Sequence, residues 1–155
     1  MAKKSAGLLI YRQKGNMVEV LLVHPGGPFW AKKDNGAWSI PKGELNNDED
    51  PLAAARREMG EETGIQVSGN FIELTPVKQK SGKWVYAWAL EQQLDIDNIK
   101  SNTFEMEWPP RSGRKKSFPE IDKAGWFSMA DARKKIIEGQ VLLINQLEEI
   151  LKKQE

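Results

Sequence analysis

Two apolar runs open the chain, separated by a short polar stretch. Residues 5–11 and 18–24 are rich in leucine, isoleucine and valine, and the segment 12–16 between them contains a glycine. Aliphatic runs of this length around a glycine-containing turn predict a β-hairpin. The segment 25–38 that follows is rich in glycine and proline and is predicted to be a loop. Its aromatic residues either fold back on the core or form one wall of a substrate pocket.

A helix is predicted from residue 51 to about residue 63. Asp50 is a suitable N-cap, Pro51 is favoured at the first helical position, and Gly64 suits a left-handed C-terminal cap. Apolar residues recur on one side of this helix, at Leu52, Ala55 and Met59. We therefore expect that side to pack on a sheet.

The rest of the pattern alternates strands and helices. We predict a short strand at 38–40 that is broken by 41–43, an extended segment at 65–77, strands at 83–90, 103–107 and 121–127, a basic loop at 108–116, and helices at 128–138 and 141–153. Trp84 and Trp88 share one side of their strand and, with Trp126, are interpreted as core residues. Strands and helices in this order predict an α+β or layered α/β/α fold.

Composition narrows the class of protein. The chain has 155 residues, which suits one domain, and a net charge of +1, which gives no overall attraction to nucleic acid or to an acidic membrane. Cysteine is absent and His24 is the single histidine, so disulfides, thiolate chemistry and multi-histidine metal sites are excluded. The N-terminal segment has only a short apolar run after its lysines, too short for a signal peptide core. We expect a cytoplasmic protein and interpret His24 as structural.

Carboxylates are concentrated in residues 43–65. This stretch holds seven of them, and Glu58, Glu61 and Glu62 are spaced so that all three lie on one face of the predicted helix. Like charges at this spacing repel each other, which destabilises the helix unless positive charge lies among them. That charge comes either from the two arginines that precede Glu58, on a solvated face, or from a hard divalent cation such as Mg²⁺.

The same stretch resembles the Nudix box. The family pattern is G-x5-E-x7-R-E-U-x-E-E-x-G-U, where U is a bulky aliphatic residue, and its fixed positions are matched by Gly43, Glu49, Arg57, Glu58, Met59, Glu61, Glu62, Gly64 and Ile65. Methionine in the first U position is a mild departure. The segments WSIPKGE and FPEIDKAGWF are also similar to Nudix proteins. The resemblance implies the Nudix fold, an α/β/α sandwich with a central mixed β-sheet, in a single Nudix hydrolase domain over 1–155.

The resemblance also implies roles for individual residues. The expected ligands of Mg²⁺, or of Mn²⁺ in its place, are Gly43 through a backbone carbonyl and the carboxylates Glu49, Glu58, Glu61 and Glu62. Glu58 is either a ligand or the general base, oriented by Arg57, and Glu49 is a supporting acid. Glu120, which lies outside the box just before a predicted strand, is a further candidate. The expected catalytic residues are therefore Arg57, Glu58, Glu61, Glu62 and Glu120.

Substrate contacts are expected outside the helix. Lys42, directly before the box, either contacts a phosphate or is a solvated surface lysine. Arg111 and Arg114 belong to the most basic stretch, which either captures a polyphosphate tail or is a solvated loop. Trp30 and Trp108, both in predicted loops, are the candidates for stacking on a nucleobase.

These features predict a Mg²⁺-dependent Nudix hydrolase that cleaves a diphosphate linkage in a nucleoside polyphosphate by water attack at phosphorus. Dinucleoside polyphosphates and nucleoside triphosphates both remain open as substrates. The alternative is a non-catalytic nucleotide- or RNA-binding module on a Nudix fold, against which the complete set of acids argues. A third interpretation, an interaction protein built on the C-terminal amphipathic helix, leaves the box unexplained. We expect a small-molecule nucleotide partner, no membrane, no stable nucleic-acid partner, and a monomer or homodimer.

Overall fold

The computed structural model describes residues 3–154 of the chain. Its strands are β1 (Lys4–Lys14), β2 (Met17–Pro25), β3 (Lys42–Glu44), β4 (Ile72–Glu73), β5 (Val77–Lys78), β6 (Trp84–Glu91), β7 (Thr103–Glu107), β8 (Lys115–Pro119) and β9 (Ile121–Ser128). Its helices are α1 (Pro51–Thr63), α2 (Met129–Lys135) and α3 (Val141–Lys153), with a 3₁₀ turn at Glu138–Gln140. Across these described helices, none is long and apolar enough to cross a membrane.

A mixed sheet of seven strands forms the middle layer. The main order is β4–β6–β1–β2–β9, with β5 paired to β6 and β3 paired to β1. The central β1–β6 pair is parallel, whereas the other pairs are antiparallel. Helix α1 packs on one face of this sheet, and α2 and α3 pack on the other. The predicted α/β/α sandwich is therefore confirmed.

Strand β1 is apolar without interruption because both of its faces are covered. Leu8 and Ile10 belong to the core cluster beneath α1, whereas Leu9 and Tyr11 belong to the cluster beneath α3. Successive side chains of a strand point to opposite faces, so a strand that is covered on both faces needs apolar residues at every position. The predicted hairpin is confirmed, because β1 and β2 pair in antiparallel register from Tyr11 opposite Val20 to Lys14 opposite Met17.

The strand expected at 38–40 was placed too early. Ser39 and Trp38 form only isolated bridges, to Val23 and Ile136, and the regular strand is β3, where a break had been predicted. The cause is Gly7 on β1. A Cβ at Gly7 would lie 2.5 Å from the Pro41 carbonyl oxygen, so the missing side chain lets the chain approach β1 closely and pair with it.

Two predictions in the C-terminal half also need correction. The basic loop is shorter than expected, because Lys115 and Lys116 belong to β8, which pairs with β7 in a separate two-stranded sheet. The helix predicted to reach residue 138 ends at Lys135. Ile136 instead has an extended backbone, is 1% exposed and bridges Trp38, because its side chain is needed in the core beneath α3.

Trp84, which was expected in the core, is 37% exposed. It stands at the start of β6, where it pairs with Lys4 and with Lys78. Trp88, four residues further along the same face of β6, packs against the cluster beneath α1. The side on which the tryptophan lies was predicted correctly, but its burial was not.

Candidate active site

Helix α1 carries the acids and is bounded as predicted. The Asp50 carboxylate accepts a hydrogen bond from the Ala53 amide at 3.0 Å, and Gly64 adopts a left-handed conformation with φ 77°. Leu52, Ala55 and Met59 pack toward the sheet. The glutamates lie on the neighbouring side, which faces β3.

Strand β3 and α1 are in close contact through Gly43 and Lys42. A Cβ at Gly43 would lie 2.0 Å from Cδ of Glu58, so the Glu58 carboxylate occupies the space that any other side chain would take. The backbone amide of Lys42 donates to Oε1 of Glu62 at 3.1 Å. The structure thus explains why glycine stands at position 43.

Arg57 connects the acids to one another. Its guanidinium holds Glu49 through two hydrogen bonds of 2.8 and 3.0 Å, and its Nη1 donates to Glu58 at 2.8 Å and to both oxygens of Glu61 at 3.0 and 3.1 Å. Nη2 also reaches the Glu44 carbonyl at 3.2 Å. Hydrogen bonds from Arg57 lower the pKa of Glu49, and the same contacts raise the pKa of Arg57 further above its ordinary value. The Arg57 guanidinium therefore fixes the carboxylates of Glu49, Glu58 and Glu61 relative to one another and to the end of β3.

Burial raises the pKa values of two carboxylates of α1, Glu58 and Glu62. Burial raises the pKa of Glu62 to about 8, despite the opposing hydrogen bond from the Lys42 amide. Burial and, next, the charge of Glu61 raise the pKa of Glu58. Burial also lowers the pKa of Lys42, with a smaller contribution from Lys83. Raised carboxylate pKa values mean that the site would gain from an additional cation.

Glu120 is brought to the same place from the far end of the sheet. Its amide donates to the Asn102 carbonyl at 2.8 Å, and the Asn102 amide donates to the Glu61 carbonyl at 2.8 Å. Burial and, next, the charge of Glu61 raise the pKa of Glu120, and the charge of Glu120 contributes to the raised pKa values of Glu58 and Glu62. The structure therefore adds a fourth carboxylate to those of the helix.

The donor set suits a hard divalent cation. It consists of carboxylates, and burial disfavours the charged forms of Glu58 and Glu62, a cost that a bound cation would offset. Between residues 3 and 154, no group of three or more histidine, cysteine, aspartate or glutamate side chains is arranged closely enough to hold a metal ion. Glu58 and Glu61 are turned to Arg57, and Glu62 is turned to the Lys42 amide. Binding a cation would require rotation of these side chains.

An aromatic wall lies between the loop 25–38, whose Gly26 amide donates to the Glu120 carbonyl, and the β7–β8 hairpin. Trp108 and Phe29 meet edge to face with their ring centres 5.8 Å apart, and a Cβ at Gly27 would lie 3.0 Å from the Phe104 ring. Phe29 is 62% exposed, and Trp30, over which the Lys33 ammonium lies at 5.0 Å, is 38% exposed. Phe29 belongs to the loop whose aromatic residues were predicted either to fold back on the core or to form a pocket wall, but only Trp30 of that loop was named as a stacking candidate. The alternation of Phe104, Met106 and Trp108 on one side of a strand was the signal that could have identified this wall.

Arg111 and Arg114 are not brought to the acids. They lie at the turn of the β7–β8 hairpin and are exposed. The base of that hairpin adjoins Glu120, so the turn lies one strand length away, roughly 15 Å at 3.3 Å per residue. The Arg114 carbonyl accepts a hydrogen bond from the Trp108 amide at 2.9 Å, so these arginines lie beside the aromatic wall and away from the acids.

His24 is buried, as its structural interpretation predicted. Its Nε2 donates to the Lys33 carbonyl at 2.6 Å, and its Nδ1 lies 2.8 Å from Oδ1 of Asp122. The ring is fully buried and contacts Trp38 edge to face. His24 thereby connects the loop that carries Phe29 to β9 at Asp122, which is two residues after Glu120.

Comparisons with known proteins agree with this arrangement. The family model described as NUDIX domain matches residues 1–147. Nudix hydrolase 7 of Arabidopsis thaliana is 30% identical over 113 residues, which are 68% of this chain and 38% of that protein. RNA pyrophosphohydrolase of Xanthomonas campestris is 41% identical over 51 residues, which are 32% of this chain and 25% of that protein. The chain thus spans well under half the length of these curated relatives.

Solved structures share the fold. The Ap4A hydrolase of C. elegans, as a binary complex, superposes with a TM-score of 0.70 at 24% identity over 97% of this chain and 98% of that one. The NUDIX domain of Shewanella oneidensis NrtR, complexed with ADP ribose, superposes with a TM-score of 0.68 at 16% identity over 97% and 89%. With a family model matching nearly the whole chain and this fold around the box, the chain belongs to the NUDIX family.

Proposed function

We propose that the chain is a Mg²⁺-dependent hydrolase that cleaves a diphosphate linkage in a nucleoside polyphosphate by attack of water at phosphorus. The observation that carries this proposal is the complete set of acids around Arg57, with Glu58 pressed against Gly43 and Glu62 bound to the Lys42 amide. Buried carboxylates with raised pKa values, gathered on one face of a helix around an arginine, are an arrangement that a solvated, salt-bridged helix does not need.

The residues that would hold Mg²⁺ are Glu58, Glu61 and Glu62, with the Gly43 carbonyl beside them and Glu49 in support. When bound, Mg²⁺ neutralises phosphate oxygens and makes a coordinated water more acidic. Arg57 keeps Glu58 and Glu61 on the same side of α1 and so limits how far each must rotate. The helix itself is rigid, capped at both ends and packed on the sheet, which positions its carboxylates better than a loop could.

Proton transfer falls to a carboxylate with a raised pKa. Glu120 and Glu58 both have this property, and both lie in the same group of charges. A carboxylate whose pKa is raised toward neutrality accepts a proton from water more readily than an ordinary one. Separate glutamine variants, titrated with Mg²⁺, decide which of the two acts as base. Loss of the base lowers kcat at saturating Mg²⁺ with little change in KM, whereas loss of a metal ligand raises the Mg²⁺ concentration needed for half-maximal activity.

The substrate base would rest against the wall of Phe29, Trp30 and Trp108. Phe29 and Trp30 are exposed in the loop whose Gly26 amide is bound to the Glu120 carbonyl, and Phe29 contacts Trp108 of the hairpin. Lys42 is the candidate for a phosphate contact, because its ammonium lies close enough to Glu62 and Glu58 to be influenced by their charges. Arg111 and Arg114 could reach only a long polyphosphate or a longer substrate, because the hairpin turn is remote from the acids.

A substrate panel with and without Mg²⁺ tests the proposal. It contains dinucleoside polyphosphates, normal and oxidised nucleoside triphosphates, nucleotide sugars, ADP-ribose and a 5′-triphosphorylated oligonucleotide. Product masses after reaction in ¹⁸O-labelled water identify the phosphorus attacked. We expect Mg²⁺-dependent turnover of at least one nucleoside polyphosphate. Binding of nucleotides without product from any substrate would reject the enzyme in favour of a non-catalytic binding module.

A further inference from the structure

A second surface combines cations and aromatic rings, and it lies on the α1 side of the sheet away from the aromatic wall. Lys78 pairs with Trp84, and Trp84 pairs with Lys4, so these three side chains form a row across β5, β6 and β1 on one face. Trp88 and Leu8, further along the same strands and on the same face, pack under α1. Helix α1 does not extend over the row, and Trp84 is 37% exposed. We call these residues, together with Tyr86, the lysine–tryptophan row.

Each ring in this row lies beside an ammonium group. The Lys78 Nζ is 6.0 Å from the centre of a Trp84 ring, and the Lys4 Nζ is 5.8 Å from the centre of the Tyr86 ring. Lys4 and Lys78 are both exposed. Rings alternating with ammonium groups present stacking surfaces for bases and charges for phosphates at the same spacing.

The surface continues beyond β1 into a cavity of about 540 Å³. Tyr86, Lys3 and Lys4 line it together with the amides Asn46 and Asn47. The carboxylates of Asp48 and Glu49 also line it, so the cavity repels phosphates and marks the end of the row. From Lys78 on β5 through Trp84 on β6 to Lys4 on β1 the row spans two strand spacings, about 10 Å at 4.8 Å per spacing. This is longer than one nucleobase and suits a segment of chain.

We propose that the lysine–tryptophan row binds a single-stranded polynucleotide. Bases stack on Trp84 and Tyr86 while Lys4 and Lys78 contact the phosphates between them. A duplex is a poor occupant, because its bases are already stacked on each other and unavailable to the rings. The expectation of no nucleic-acid partner rested on the net charge of +1, which averages over the chain and conceals a local basic surface. Binding here does not depend on hydrolysis at the acids.

Fluorescence anisotropy of labelled 12-nucleotide strands tests this proposal. The probes are polyuridine RNA and polythymidine DNA with 5′-hydroxyl ends, in EDTA, so neither offers a diphosphate linkage nor a metal-dependent reaction. We expect binding that weakens with salt. The double variant Lys4→Gln/Lys78→Gln should lower the slope of log K against log salt by about 1.4, since each phosphate contact contributes roughly 0.7 on a single strand.

Matched variants separate this surface from general electrostatics. Lys14→Gln/Lys153→Gln removes the same charge at the far end of β1 and on α3, and should leave binding unchanged. Trp84→Ala should weaken binding at least fivefold, and Trp84→Phe should restore most of it, because one stacked base contributes roughly a factor of five to a hundred. Tighter binding of RNA than of DNA would extend the proposal to recognition of the 2′-hydroxyl group.

Three results would overturn the proposal. They are salt-independent or absent binding, an equal loss in the control pair, and equally tight binding of a duplex or of a polyglutamate peptide of the same charge. Urea unfolding checks that each variant is folded. Hydrolysis of the best nucleoside polyphosphate from the substrate panel is measured in parallel. A variant that loses strand binding but retains hydrolysis supports both proposals. Hydrolysis by a wild type that binds no strand rejects this proposal and leaves the proposed function intact.

Discussion

The contact between Gly43 and Glu58 predicts that Gly43→Ala destabilises the protein. An added Cβ would lie 2.0 Å from Cδ of Glu58 and 2.1 and 2.4 Å from its oxygens. Carbon atoms pack at about 3.5–4.0 Å, so one of the two groups must move by roughly 1.5 Å. Glu58 is 8% exposed and bound to Arg57 at 2.8 Å, which prevents it from turning freely into solvent. Overpacking of this kind costs about 1–3 kcal/mol.

Gly60→Ala is the matched control, because it adds the same methyl group to α1 without a close contact. The nearest atom to a Cβ there is Nε2 of Gln66, at 3.5 Å. Alanine is better than glycine inside a helix by about 0.5–1 kcal/mol. Urea unfolding in EDTA should therefore show opposite shifts of the midpoint at constant m, downward for Gly43→Ala and upward for Gly60→Ala.

A double-mutant cycle identifies the clash as the cause. In a Glu58→Ala background the space beside Gly43 is open, so Gly43→Ala should cost close to nothing there. In the wild-type background, kcat/KM should fall with stability, because Glu58 is displaced from Arg57. An equal cost of Gly43→Ala in both backgrounds, or no cost in either, would refute the reasoning.

Three further predictions concern charge and stacking. Arg57→Lys keeps the charge but cannot hold Glu49 through two bonds while reaching the other acids, so urea unfolding should show a loss of about 1–3 kcal/mol and kcat/KM should fall. Burial raises the pKa of Glu62 from 4.5 to about 8, so the folded protein binds more protons than the unfolded chain between these values. In EDTA, stability should therefore fall as pH rises from 5 to 8, by about 1–3 kcal/mol more in wild type than in Glu62→Gln; equal slopes would contradict this. Phe29→Ala and Trp108→Ala should each raise KM about fivefold or more with little change in kcat, and steady-state kinetics with unchanged KM would exclude base stacking at the wall.

Features that depend on local sequence could be predicted from it. The caps Asp50 and Gly64 are residue types with strong positional preferences, and they mark the ends of α1 within a residue. The i, i+4 spacing of Arg57 and Glu61 also allows their salt bridge to be predicted. The Nudix spacing likewise indicated the fold, because it specifies a loop and a helix of fixed length.

Features that depend on packing between residues far apart in the chain could not be predicted from the sequence. That Gly43 makes room for Glu58, 15 positions away, follows from how β3 lies against α1, and no periodicity encodes it. The resemblance named Glu120 as a candidate, but its position depends on the pairing of β2 with β9 and on the hydrogen bonds that join Glu120 to Gly26 and, through Asn102, to Glu61. The side on which Trp84 lies was predictable from alternation, but its exposure depends on where α1 stops covering the sheet.

The most direct test of the central claim compares two identical chemical changes on two helices. Glu62→Gln alters a carboxylate of the proposed site, and Glu149→Gln alters an exposed carboxylate of α3. With the best substrate from the panel and saturating Mg²⁺, kcat/KM should fall at least a hundredfold in Glu62→Gln, a loss of about 2.7 kcal/mol in transition-state stabilisation, and should be unchanged in Glu149→Gln. Equal activity of the two variants would contradict the assignment of the acids on α1 as the hydrolytic site.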